Sequence, residues 1–150
     1  MHRFTAILGL FLMLTVLAAP AMAAKKPINQ TTFGGVAIKG YDPVAYFTDS
    51  QAVKGDKQHT FSWQGANWHF ASAENRDTFA ADPEAYAPQY GGYCAYAVSK
   101  GNVAGIDPEA WTVHEGKLYL NYSIGVMNKW REDIPGNIAK ADANWPGVLD

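Results

Sequence analysis

His59-Thr60-Phe61-Ser62-Trp63-Gln64-Gly65-Ala66-Asn67-Trp68-His69-Phe70 is the stretch whose reading decides the fold class of this chain. Gln64-Gly65 is a two-residue turn signal between two runs rich in aromatic residues. With that pair at the bend, Trp63 faces Ala66, Phe61 faces Trp68 and His59 faces Phe70. Side chains alternate across a strand, so this register gathers the aromatics on one face and leaves Thr60, Ser62, Asn67 and His69 on the other. A slip by one residue would turn the aromatic set to the opposite face of its strand, so the pattern specifies the register of the hairpin.

Working outward, Ser72 is a helix N-cap with Glu74 in the first turn, and Phe79 and Ala80 supply apolar contacts near the far end. Asp82-Pro83 stops that helix and starts another turn carrying Tyr86. Upstream, Asp42 caps a short helical turn through Phe47, with Pro43 at the first position, where a missing N–H costs nothing. Ser50 to Lys57 and Lys100 to Gly105 read as loops. Downstream, Trp111–His114 and Lys117–Leu120 flank Glu115-Gly116, a second hairpin turn. Its register places Trp111, Val113, Leu118 and Leu120 on an apolar face and Thr112, His114, Lys117 and Tyr119 on an outer one. Ser123 caps a further helix in which Ile124, Met127, Trp130 and Ile134 recur at helical spacing. Pro135-Gly136 is expected to break it, and Asn137 to open a last short helix to Asn144. The expected fold is a small single α+β domain of β-hairpins alternating with short helices.

The N-terminus has a different character. Phe4 to Ala19 is an apolar run shorter than the ~20 residues that cross a bilayer, and Ala21-Met22-Ala23 puts small residues where a signal peptidase reads. The expected organisation is a cleaved signal peptide over residues 1–23, a flexible lead-in over 24–33 and one domain over 34–150. That predicts a periplasmic or secreted protein with no stable membrane anchor after cleavage. The net charge of the 150-residue chain is −2, and removing the leader deletes only Arg3. No basic cluster is present, which argues against a nucleic-acid partner.

Cys94 is the single cysteine among the 150 residues, so an internal disulfide is excluded. It lies behind Gly91-Gly92, a bend requiring positive φ or close backbone approach, and among Tyr90, Tyr93 and Tyr96. Read as a strand, Tyr93 to Val98 is apolar on both faces and buries the thiol as a small hydrophobe. A nucleophilic thiol would need a base, and His59, His69 and His114 are the candidates. The spacings Cys-x-x-Cys, His-x-x-x-His and His-Glu-x-x-His are absent, and Met127 is the one thioether after the leader, a thin donor set for copper or zinc. Asp42, Asp82 and Asp107 each precede proline and are read as helix caps rather than acid–base pairs.

These residues carry a resemblance. Asp42-Pro43-Val44, Trp68-His69-Phe70-Ala71-Ser72 and Phe79-Ala80-Ala81-Asp82-Pro83-Glu84-Ala85-Tyr86 resemble the YHS domain, down to the spacing from Phe70 to Phe79. Gly91-Gly92-Tyr93-Cys94-Ala95 and Ile134-Pro135-Gly136-Asn137-Ile138 resemble an exported bacterial subgroup of that family. The resemblance implies the fold over residues 34–150. It also raises a metal role, because short cysteine-bearing members accompany heavy-metal and copper-transporting ATPases. At the three positions where those cysteines fall, this chain holds Ala45, Ala71 and Asn75. The leading expectation is an exported, non-enzymatic binding or accessory domain. Its ligand would be a small molecule or a transition metal such as copper or zinc, touching Cys94, Tyr90, Tyr93 and Tyr96. The alternatives are a structural or interaction module with Cys94 as inert core, and a thiol-dependent enzyme or redox protein using Cys94 with a histidine. No protein partner is identified by the sequence.

Overall fold

The computed structural model describes residues 18–19 and 24–150, so the leader expected over residues 1–23 lies outside the described residues except for those two. The chain folds as a small α+β domain. Its elements are α1 (Ala45–Thr48), β1 (Asp56–Trp63), β2 (Ala66–Phe70), α2 (Ala73–Ala81), α3 (Pro83–Tyr86), α4 (Ala95–Ser99), β3 (Asp107–His114), β4 (Lys117–Asn121), α5 (Ile124–Arg131) and α6 (Ile134–Asn144). Strands β1 and β2 form one antiparallel hairpin, and β3 and β4 form the other. Among the described residues no helix is long and apolar enough to cross a membrane.

The first hairpin has the expected register near its turn: Trp63 faces Ala66, Phe61 faces Trp68 and Thr60 faces His69. Gln64 and Gly65 both take positive φ, 48° and 73°, as a two-residue hairpin turn demands. Further from the turn the expected pairing of His59 with Phe70 gives way to Asp56 opposite Phe70, across an irregularity in β1. Two local bonds accompany it: Asp56 Oδ1 accepts from the Gln58 N–H at 2.8 Å, and the Thr60 hydroxyl donates to the Lys57 carbonyl at 2.6 Å. Polar side chains there compete with the ladder for backbone groups.

Helix α2 begins where expected, with Ser72 Oγ accepting from the Asn75 N–H at 3.1 Å. It places Phe79 on the hairpin, its ring 5.1 Å from both Trp68 and Phe70 and edge-on to Trp63 at 5.8 Å. Helix α1 is tied to the second hairpin by Tyr46, which donates to the Pro108 carbonyl at 2.8 Å and leans on Trp111.

The second hairpin keeps its predicted register, Trp111 with Leu120 and Val113 with Leu118. Its second face is a correction: Tyr119, expected to be outward, is 3 % exposed. Trp130 of α5 lies over it at 5.0 Å and Tyr90 approaches at 6.1 Å. Strand β4 therefore separates two clusters, one around Trp68, Phe70 and Phe79 and another around Tyr90, Tyr119 and Trp130. Alternation records the two faces of a strand but not whether a later helix returns to cover the polar one.

Three further expectations change. Pro135-Gly136 does not end α5; the break is at Glu132-Asp133, and Asp133 Oδ1 accepts from the Gly136 N–H to start α6 with Pro135 in its first turn. Asp107 caps no helix, because it sits in β3 and accepts from the Glu109 N–H two residues on, and Asp82 makes no side-chain cap bond. Residues expected as a flexible lead-in are bonded into the domain through Lys25 N–H to the Leu149 carbonyl at 2.8 Å and Asn29 N–H to the Gly91 carbonyl at 2.9 Å.

Phe79 is fully buried at the junction of hairpin and helix. Phe79→Ala is expected to cost about 3–5 kcal/mol of folding stability, read as a lower urea midpoint with an unchanged slope. A loss below about 1 kcal/mol would mean that α2 does not hold the hairpin.

Candidate functional site

Asp42 is the first buried polar centre, with 0 % exposure. Its Oδ1 accepts from the Val44 and Ala45 N–H groups at 2.8 and 3.3 Å. Its Oδ2 accepts from the Ala71 N–H at 2.8 Å and the Asn75 side-chain amide at 2.7 Å. The three positions at which the resemblance would put cysteine, Ala45, Ala71 and Asn75, thus converge on one point in space. In this chain that point is a carboxylate saturated by N–H donors. The donor set does not fit a soft metal, because the thiols are replaced by two methyl groups and a carboxamide.

Cys94 lies elsewhere and is not on a strand. It precedes α4, whose turn closes with Val98 N–H to the Cys94 carbonyl at 3.1 Å. Asn121 on β4 makes the helix possible by accepting from the Tyr96 N–H at 3.0 Å. The thiol is 1 % exposed, donates to Asn121 Oδ1 at 3.5 Å and accepts from the Tyr122 N–H at 3.3 Å. None of His59, His69 and His114 is hydrogen-bonded to it. Among the described residues no three His, Cys, Asp or Glu side chains gather as a metal set.

The tyrosines around Cys94 disperse. The Tyr93 hydroxyl donates to the Lys26 carbonyl at 2.8 Å, and the Tyr96 ring lies 4.9 Å from the Lys100 ammonium. Tyr90 turns the other way and donates to Asp142 Oδ1 at 2.9 Å. Burial, then that bond to Asp142, raises the Tyr90 hydroxyl well above the ordinary tyrosine range. Burial raises Tyr46 likewise, with nearby Glu109 adding to it.

Of the four residues singled out in the sequence, Tyr90 alone lines a cleft of about 450 Å³. Trp63 from the end of β1, Tyr90, and Trp145 after α6 supply its aromatic surface, with Pro27, Pro88 and Pro146 beside them. Glu84 of α3, Lys117 of β4, Gln64 and Gln89 supply its polar groups. Tyr90 and Trp145 meet at a steep angle, 63°, with centroids 6.1 Å apart. Gly91 makes the cleft wall possible: its φ is 62°, and a Cβ there would run into the Pro27 carbonyl oxygen. Trp63, Glu84, Lys117 and Trp145 carry no sequence signal as a set, because they come from a hairpin turn, a one-turn helix, a strand start and a helix exit.

Two outcomes follow from this geometry. Gly91→Ala should lose at least the roughly 1–2 kcal/mol of a left-handed non-glycine residue, seen as a lower melting temperature with weakened amide protection at Asn29. Tyr46 and Tyr90 have raised native values, so their contribution is complete below the unfolded value of 10.0 and is lost as pH rises beyond it. Absorbance at 295 nm should show both ionising only together with alkaline unfolding; early ionisation of Tyr90, compared with Tyr90→Phe, would contradict its burial.

Residues 44–90 match the YHS domain. The chain has no significant match among curated proteins or among solved structures. The chain carries a YHS domain over residues 44–90.

Proposed function

We propose that this chain is an exported, non-enzymatic binding domain whose ligand occupies the cleft of Trp63, Tyr90 and Trp145, with Cys94 as a core thiol. The observation that carries the reading is the cleft itself. Its volume of about 450 Å³ falls within the range of small-molecule sites, about 300–1,000 Å³, and its lining is mostly apolar with a few polar groups. Export is supported by the apolar run and the Ala21-Met22-Ala23 site. The Cys94 thiol is engaged by Asn121 Oδ1 and the Tyr122 N–H and not by a histidine, which supports its reading as a core thiol rather than a metal ligand or nucleophile.

An interaction module is the second reading, favoured by Phe33. It is 91 % exposed on a loop stiffened by Thr31, whose hydroxyl donates to the Phe33 carbonyl and accepts from the Val36 N–H.

Titration of the 15N-labelled protein, lacking residues 1–23, with a fragment library separates these readings. Saturable shifts of the Trp63 and Trp145 indole N–H signals, retained in Cys94→Ala, are the expected result. Shifts confined to Tyr96, Asn121 and Tyr122 would move the site to the thiol. Zn(II) and Cu(I) are expected to give no stoichiometric complex; one lost in Cys94→Ala would restore the metal reading. Intact mass of the exported protein should begin at Ala24.

A further inference from the structure

We propose that the cleft takes a short peptide with free ends, its apolar side chain on the aromatic surface, its ammonium at Glu84 and its carboxylate at Lys117. This rests on the cleft reading above and names its ligand class. Glu84 and Lys117 are one carboxylate and one ammonium on the same cleft, carried by α3 and the first residue of β4, which pack together. Both are exposed, and neither forms a salt bridge among the described residues. Two opposite charges on one cleft, not joined in a salt bridge, complement a ligand with the reverse pattern, a zwitterion.

The remaining lining narrows the class. Tyr90 and Trp145 form a corner, 6.1 Å between centroids at 63°, that receives a ring or branched side chain by edge-to-face contact. Gln64 and Gln89 are carboxamides, each a donor and an acceptor. A peptide group also has one donor and one acceptor, so the two are chemically matched. A neutral sugar would use the rings and the carboxamides but gain nothing from the two charges. An inorganic anion or cation would be attracted by one charge and repelled by the other.

The test is calorimetric titration of the full chain from Ala24 with alanylphenylalanine in four forms: free, N-acetylated, C-amidated and doubly capped. The free form should bind tightest, and each cap should weaken binding about 3–10-fold, the effect of an exposed charge-assisted contact. Glu84→Gln should erase the discrimination against the acetyl cap and keep that against the amide. Lys117→Gln should do the reverse. Both side chains are exposed, so unchanged circular dichroism and melting are expected. Equal binding of all four forms, lowered together by Trp145→Ala, would overturn the zwitterion assignment and leave the cleft as the site. Binding of cellobiose without binding of any dipeptide form would also overturn it in favour of a saccharide. If neither probe binds, the peptide class falls, and fragment shifts at the Trp63 and Trp145 indoles decide separately whether the cleft reading stands.

Discussion

The carboxylate of Asp42 is the interaction on which the rest of the domain depends. A fully buried charge is costly unless donors replace its water, and here four N–H groups do so. Two come from the turn that starts α1 and two from the junction of β2 with α2. One side chain thus fixes the angle between the N-terminal turn and the first hairpin, and it sets where Phe79 meets Trp68 and Phe70. This gives physical content to Asp42-Pro43-Val44: proline presets the turn while the aspartate joins it to a segment some thirty residues on. The Ala45 and Ala71 N–H groups and the Asn75 carboxamide all donate to that carboxylate.

The second half is built against the first through β4. Leu118 and Leu120 face the cluster around Phe70, and Tyr119 faces the cluster around Trp130. A strand covered on both faces fixes α5 and α6 relative to the first hairpin. The ends of the described chain then close over the remaining edge, Lys25 against Leu149 and Asn29 against Gly91. The cleft lies along that seam, which is why it draws on residues as distant in sequence as Pro27, Trp63, Lys117 and Trp145.

Cys94 illustrates how the same residue reads differently at different levels. Its isolation among tyrosines marks it in the sequence as a place for chemistry. In the fold its sulfur satisfies the Tyr122 N–H and its neighbour Asn121 supports the first turn of α4. The thiol therefore belongs to the packing between α4 and β4, and Tyr90, at the far side of the glycine bend, is the residue of this group that lines a cavity.

By itself the sequence determined what local chemistry controls. The turns at Gln64-Gly65 and Glu115-Gly116, the hairpin registers next to them, the caps at Ser72 and Ser123 and the bend at Gly91-Gly92 all rest on dihedral limits or on partners within a few residues. The family pattern from Asp42 to Tyr86 was legible for the same reason, since it is a string of such signals at set spacing. Tertiary structure decided the features that need distant partners. Tyr93 to Val98 could be apolar as strand or helix until Asn121 accepted the Tyr96 N–H and the run became α4. Tyr119 was outward by alternation until Trp130 covered it. Asp42 read as a local cap because only the fold brings Ala71 and Asn75 to its second oxygen. The cleft was invisible for that reason: no periodicity or motif links its walls, and they meet only once both ends of the domain close over the two hairpins.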